Sequence, residues 1–451
     1  MQTEADEIRI MDADIKKPFK NGLEFNTPVH GTWNIVHIGL AMPEAVQIYV
    51  CAKNCMRGVI LTAAEMGKQE RFSFVILNEE DMVRGRLDEV TVEGVIDVIE
   101  KRDRAGMRPK AVQLFTVCTH HFLGTDYKRL YRMLREHFPD IDFYQCYMDP
   151  IMQKKGLTPD QKLRRAMLEG LPDLPVDRRM VAYVGSDFLL DESSELYQRI
   201  TERGFCLKQM QAEKSYEGYL EMGRAGLFIV SYPPALAGVK ALAKRLNRPY
   251  LYLPACFDGE AIRSQIRALD EALDRLGAGN EKLAEKAPVD WPALESACRT
   301  AYHHLKEKLL DTPICIDATV HPRPLGLARL LLSYGLQVKK VYLDAISPEE
   351  EADALWLKAH APELVLSATI HVKKRRHVSG GQSLPGKVLA IGQKAAYFEQ
   401  TPHFVNMVAG FGLFGYDGML KLARMIEEAF DTKKDTRDIV PRKGLGCESC
   451  L

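Results

Sequence analysis

The chain is missing several features that would assign it quickly. No apolar run approaches the ~20 residues that cross a bilayer, and no basic segment followed by an apolar core opens it as a secretory signal would. A cytoplasmic protein without a membrane partner is the expectation. Neither sign of charge is in excess, since Lys+Arg and Asp+Glu both number 61. A general nucleic-acid or anionic-membrane surface needs such an excess. The 10 cysteines in 451 residues fall far short of a disulfide scaffold, and in a reducing compartment thiols serve as packing, metal ligands or redox groups. No G-x-G-x-x-G opens a strand–helix unit, so a dinucleotide fingerprint is absent. Gly381-x4-Gly386-Lys387 is followed by Val388, which opens the strand-like VLAIG. A phosphate-binding loop needs a hydroxyl and a helix there, so a surface turn is expected. Cys447-Glu-Ser-Cys450 is a lone C-x-x-C without the second pair that zinc requires. It reads as an idle reduced tail or a redox dithiol.

What is present is a soluble globular composition, 46% hydrophobic and 27% charged, long enough for two to four domains at ~100–200 residues each. From Thr27 to about residue 428, short β-branched or aromatic runs alternate with helical patterns: AVQIYV, FSFVIL, AVQLFTV, MVAYVG, LFIVSY, PYLYLP, PICIDATV, VKKVYLD, ELVLSATI and KVLAIG. Such alternation predicts parallel sheets with helices on both faces. Polar breaks at LPDLPVDRR and within the long helical stretch after Glu260 are each followed by strand, turn and helix. The fold class is therefore α/β, as three Rossmann-like units with mainly parallel sheets around a central cleft. The expected divisions are an N-terminal arm (1–26), units at 27–177, 178–310 and 311–431, and a flexible cysteine-containing tail (432–451).

The chemistry concentrates between Val46 and Asp126. Cys51 and Cys55 follow the strand VQIYV, and Cys118 follows AVQLFTV. Ligands of open parallel sheets bind beyond the carboxyl ends of the strands, and thiols brought to one such edge suit an iron–sulfur cluster or another soft metal. Two partly buried thiols are the plainer reading of C-x3-C alone. His30, His120 and His121 are possible nitrogen ligands or simply core histidines. Cys206, Cys256, Cys298 and Cys315 read as packing. Lys373, Lys374, Arg375, Arg376 and His377 form a basic run, either a solvated loop or a docking site for an acidic partner or anionic substrate.

Ordered motifs then carry a resemblance. IYVCAKNC places Cys55 after an apolar strand; EEDMVRGR has Glu80, Asp81 and Gly85; VCTHHFLGTD has Cys118, Leu123, Gly124 and Asp126. MVAYVGSD opens the second unit, IDATVHPRPLGLARLLLSYGLQV the third, and VAGFGLFGYDGMLKLAR lies near the end. In this order, over about Thr27 to Phe430, the chain resembles the nitrogenase component 1 superfamily. Its members include the molybdenum–iron protein chains, dark-operative protochlorophyllide reductase and nickel-sirohydrochlorin diamide cyclase.

The resemblance implies a nitrogenase-like oxidoreductase subunit that works anaerobically as a homodimer or with a sister subunit. An iron–sulfur cluster, [4Fe–4S] or larger, would be shared at the interface and held by Cys55 and Cys118, with Cys51 as an added ligand. An ATP-dependent iron–sulfur reductase would deliver electrons to it. His321, Arg323, Ser231 and Phe414 would line a substrate or cofactor cavity. Ser231 and Phe414 stand where the catalytic nitrogenase chain has a Cys and a His holding its large cofactor, and neither can ligate a metal in their place. That implies a small molecule or tetrapyrrole-like substrate and not dinitrogen. The family's first cluster cysteine has no counterpart, its neighbourhood being Val29 and His30, and Cys51 is extra. A scaffold for metallocofactor assembly, or a non-catalytic binding module for a metal-containing small molecule, is the alternative.

Overall fold

The computed structural model describes residues 5–19, 35–65, 67–149, 156–278, 284, 288–374, 384–405 and 413–435. The first strand in the chain, β1 (Glu7–Arg9), belongs to the last sheet. The helix α1 (Ile35–Leu40) leads into the first sheet, built from β2 (Ala45–Cys51), β3 (Phe72–Ile76), β4 (Ala111–Val117) and β5 (Asp142–Met148). All its pairings are parallel, in the order β3-β2-β4-β5. Helices α2 (Arg57–Glu65), α3 (Glu79–Val83), α4 (Leu87–Arg104), α5 (Cys118–Phe122) and α6 (Tyr127–His137) make the connections. Every residue of β2 and β4 is buried, as expected of strands covered on both faces. Two amides interrupt this apolar interior. Gln47 and Gln113 lie side by side across the strands, fully buried. Their Nε2 atoms donate to Val36 O at 2.9 Å and Gly39 O at 3.0 Å, so the buried amides are met by carbonyls of α1.

The second sheet repeats the layout. Its strands are β6 (Asp177–Tyr183), β7 (Cys206–Gln209), β8 (Ala225–Val230) and β9 (Tyr250–Tyr252), parallel in the order β7-β6-β8-β9. Helix α7 (Pro159–Glu169) begins with Pro159 at its first position and a Thr158–Gln161 capping box. It is followed by α8 (Glu195–Thr201), α9 (Tyr216–Glu221) and α10 (Leu236–Leu246). One apolar cluster includes Tyr49 and Phe115 of the first sheet and Met180 and Phe228 of the second. These two sheets form one compact unit, residues 33–189 and 205–252.

The other compact unit comprises residues 1–32, 190–204 and 253–451. Two 19-residue helices, α11 (Gly259–Gly277) and α12 (Trp291–Leu309), occupy the long, Pro-interrupted helical stretch read from the sequence. Its sheet contains β10 (Ile314–Asp317), β11 (Val338–Tyr342), β12 (Val365–Ser367), β13 (Leu389–Ile391) and β14 (Phe404–Val405). The order is β1-β12-β11-β10-β13-β14, parallel except for β1. Helices α13 (Pro324–Ser333), α14 (Glu351–His360), α15 (Gln393–Glu399) and α16 (Gly415–Asp431) complete the unit.

The structure departs from two expectations here. The N-terminal arm is not loose where it is described: Glu7–Arg9 pairs antiparallel with Val365–Ser367, and Ile10 is fully buried. Nor is the described start of the basic run solvated. Lys374 is 1% exposed and its Nζ meets Glu7 at 3.1 Å and Asp6 at 3.4 Å, while Lys340 reaches Glu7 at 3.1 Å. Burial pushes the Glu7 carboxyl up, but the two lysine charges hold it below its ordinary value. Arg375, Arg376 and His377 lie outside the described residues, as do Cys447 and Cys450. Gly386 adopts φ +80° in an exposed turn before β13, as expected of a chain reversal and not of a phosphate loop.

At the end of β10, Asp317 is fully buried and accepts N–H groups from Thr319 and Ala395, each at 2.6 Å. Gly392, with φ +120°, precedes α15, and a Cβ there would collide with the Asp317 carboxylate. That backbone region is essentially glycine-only. Gly392→Ala is expected to lower the unfolding free energy by about 3 kcal/mol, read as a fall in the urea midpoint.

Candidate functional site

In each sheet the chain places its next strand on one side of the starting strand and later crosses to the other. The reversal falls between β2 and β4, between β6 and β8, and between β10 and β13. Helices diverge at such a point, and ligands of open α/β sheets bind there, beyond the strand ends.

At the first reversal stand the cysteines. Cys51 closes β2 with its side chain in the apolar cluster. Burial, then the charge of Cys55, pushes its thiol up to about 12. Cys55 ends a single 3₁₀ turn, Lys53–Cys55, and is exposed. Cys118, the first residue of α5, is half-buried; burial raises its thiol, as do a hydrogen bond with Asp149, the Asp149 charge and that of Cys55. The charge of Cys55 thus reaches both other thiols, which places the three in one neighbourhood. They are not equivalent: two sulfurs are open to an incoming group and Cys51 faces the core. Among the described residues no three His, Cys, Asp or Glu side chains are arranged to hold a metal ion. His120 is a core histidine, fully buried, with Nε2 3.0 Å from Thr91 Oγ1 and Nδ1 accepting the Val117 N–H at 3.3 Å. His121 is exposed, and His30 lies outside the described residues.

At the second reversal Ser231 follows β8, buried beside the Tyr183 hydroxyl. Facing it in the sequence of the fold, Gly185 follows β6 at φ +76°, where a Cβ would meet Ala235. The Gly185 carbonyl accepts from Arg164 at 2.8 Å, and this fully buried guanidinium also binds Asp187 at 2.7 Å and lies over Tyr232.

At the third reversal Asp317 fills the gap, and the His321–Arg323 turn lies just beyond. His321 is 1% exposed, with its ring 4.5 Å from Phe257 and Nδ1 accepting the Arg323 N–H at 3.1 Å. Arg323 pairs with Asp353 at 2.6 Å. Phe414 is buried immediately before α16, whose first N–H groups, from Tyr416 and Asp417, go to Glu195 at 2.9 and 3.1 Å. A cavity of about 210 Å³ opens at this edge between Thr319, Pro322, Asp344, Glu350 and Lys394. Burial raises the Glu350 carboxyl to about 7. Sequence reading passed over Asp149, Asp317 and Glu350; the first two end or follow apolar strands, which is the one signal they offer.

The fold and site define an α/β protein of repeated parallel sheets with solvent-open thiols at one reversal point. A model of the nitrogenase component 1 type oxidoreductase family matches residues 36–431, and the chain belongs to that family. The solved structure titled nitrogenase Cp1 at pH 6.5 superposes with a TM-score of 0.66 at 12% identity, covering 91% of this chain and 94% of that one. The structure titled nitrogenase Cp1 at pH 5 gives 0.58 at 12% identity, covering 94% and 93%. At that identity the likeness is one of fold. A sequence search of curated proteins matches none.

Two outcomes follow from the burial pattern. In metal-free protein treated with iodoacetamide, Cys55 is expected to label first, Cys118 more slowly, and Cys51 only on unfolding, as read by peptide mass spectrometry. Burial, then the Arg323 charge, lowers the His321 pKa from 6.5 to about 3. The unfolded chain therefore takes up this proton first, and stability present above pH 6.5 is lost as pH falls toward 3. Between pH 6 and 4 the urea midpoint should fall more steeply in the wild type than in His321→Gln.

Proposed function

We propose that the chain is a nitrogenase-like reductase subunit whose Cys55 and Cys118 hold an iron–sulfur cluster shared with a second subunit. The observation that carries this reading is the carboxyl edge of the first sheet. There exposed Cys55 and half-buried Cys118 are accompanied by large apolar side chains left in water: Val83 at 87%, Phe122 at 69% and Leu123 at 55% exposure. An edge with open thiols and uncovered apolar groups suits a subunit interface. Two thiolates from each of two symmetry-related chains would make the four a [4Fe–4S] cluster takes. The partner is an identical chain or a sister component 1 subunit. Cys51 joins only if its sulfur leaves the core, which would allow a larger cluster.

Such a cluster, when bound, supplies single electrons at low potential. This chain's residues hold it, shield one side of it with the core around Cys51, and place Asp149 against Cys118. An ATP-dependent iron–sulfur reductase would bring the electrons in the cytoplasm, under anaerobic conditions. In this reading the chain divides into three units, residues 27–177, 178–310 and 311–431, and Ser231, His321, Arg323 and Phe414 are the residues that meet substrate or cofactor. Neither a serine hydroxyl nor a phenyl ring replaces a thiolate or imidazole ligand, so the substrate is a small molecule or tetrapyrrole and not dinitrogen. Among the described residues no helix is long and apolar enough to cross a membrane.

The test is iron and sulfide analysis after anaerobic purification. Cys55→Ala and Cys118→Ala should lose most of the iron, and Cys206→Ala should keep it. Full iron content in Cys118→Ala would falsify the cluster assignment. Iron that is present but never oxidised and reduced with an ATP-dependent reductase would favour the assembly scaffold or binding module.

A further inference from the structure

A second cavity, of about 490 Å³, is built wholly from the unit that lacks the cluster cysteines. Its volume is that of a small-molecule site. Helices α11, α12, α13, α14 and α16 line it, so it lies mainly among helix side faces, with Arg323 reaching it from the turn beyond β10. Four guanidinium groups line it: Arg263, Arg299, Arg323 and Arg329.

Four carboxylates line it too, but among the described residues only two of them pair with these groups. Glu295 takes Arg263 and the Tyr416 hydroxyl. Asp353 is shared, with Oδ2 2.6 Å from Arg323 and Oδ1 3.1 Å from Arg329. The other two acids of the wall stand at the start of α11. Asp258 accepts the Ala261 N–H at 2.8 Å, and Glu260 is in the first turn, where a negative charge meets the helix dipole. Arg299 is exposed and makes no ion pair among the described residues. Arg323 Nε is buried without a partner, and an unmet buried donor commonly marks a functional site. Two of the four carboxylates thus take three of the guanidinium groups, and Arg299 has no carboxylate of its own.

The walls between the charges are flat and apolar. Trp356 and Tyr334 face the cavity. Trp356 is fixed by His360 stacked at 4.3 Å and by Arg329 at 5.4 Å, and Tyr334 by Tyr302 stacked at 5.0 Å. The charged and aromatic groups are thus held by other contacts before any ligand arrives, which lowers the entropy lost on binding.

We infer that this cavity binds a small organic anion, a carboxylate or phosphate on a planar apolar body. The anionic head meets Arg299 and the Arg323–Arg329 pair, and the body lies against Trp356 and Tyr334. Two of the three tryptophans report on the site: Trp356 lines it, and Trp291 lies 6.1 Å from the lining Tyr416.

The experiment titrates the anaerobically purified protein with benzoate and with phenyl phosphate at constant ionic strength, reading tryptophan fluorescence. Benzamide is the neutral control and inorganic phosphate the head group alone. At least one aromatic anion should give a saturable change that benzamide does not. Arg299→Gln should weaken it at least about fivefold, and Trp356→Phe should remove most of the signal. Unchanged melting temperatures show that the variants fold. No saturable change with either aromatic anion overturns the inference, as does equal affinity for benzamide or for inorganic phosphate. So does full affinity in both Arg299→Gln and Arg329→Gln. Iron counted on the same samples keeps this result separate from the cluster assignment.

Discussion

A parallel sheet that reverses its strand order leaves a gap where neighbouring helices part to opposite faces. Three such gaps occur among the described residues, and each is answered differently. At the first, the gap opens on thiols. At the second, it is closed by a backbone approach tight enough to require Gly185 against Ala235, with Ser231 beside it. At the third, the Asp317 carboxylate occupies the place where an anionic ligand of an α/β sheet would sit, taking the Thr319 and Ala395 N–H groups itself. A dinucleotide phosphate would find those donors already used. The missing glycine fingerprint and the filled gap are thus two expressions of one arrangement.

Buried charge is placed with the same economy. Arg164 with Asp187 and Arg199 with Asp270 are removed from water in pairs, and the buried Lys374 meets the partly exposed Glu7. Such pairs add little net stability over an apolar filling, but breaking one leaves a bare charge inside. The second and third join segments 71 and 367 residues apart, so they penalise a mispacked arrangement more than they reward the native one.

The legibility of the sequence followed the range of the forces. Runs such as AVQLFTV and MVAYVG read as strands because both faces are buried, and β4 and β6 are where they were expected. EIR and CLKQ do not look like strands, yet Glu7–Arg9 and Cys206–Gln209 are. Their pairing comes from a sheet already formed, and for β1 from ion pairs with lysines more than 300 residues away. The C-x3-C spacing announced thiols at a strand end but could not show that Cys51 turns inward while Cys55 turns out. Arg323 was visible as a fixed guanidinium beyond β10. Its partner Asp353, and the four-arginine cavity, come from helices whose packing no local pattern records.

The placement of β1 sets an order of events at the ribosome. Glu7 cannot take its edge position until Ser367 and Lys374 have been made. That segment therefore waits through the synthesis of 360 further residues with its strand unpaired, while the sheets at 45–148 and 177–252 have their strands in hand. Long-range closure of this kind is slow and leaves an edge exposed. Two acids and an arginine among residues 6–9 keep that waiting segment charged, which is how natural edge strands avoid pairing with the wrong neighbour.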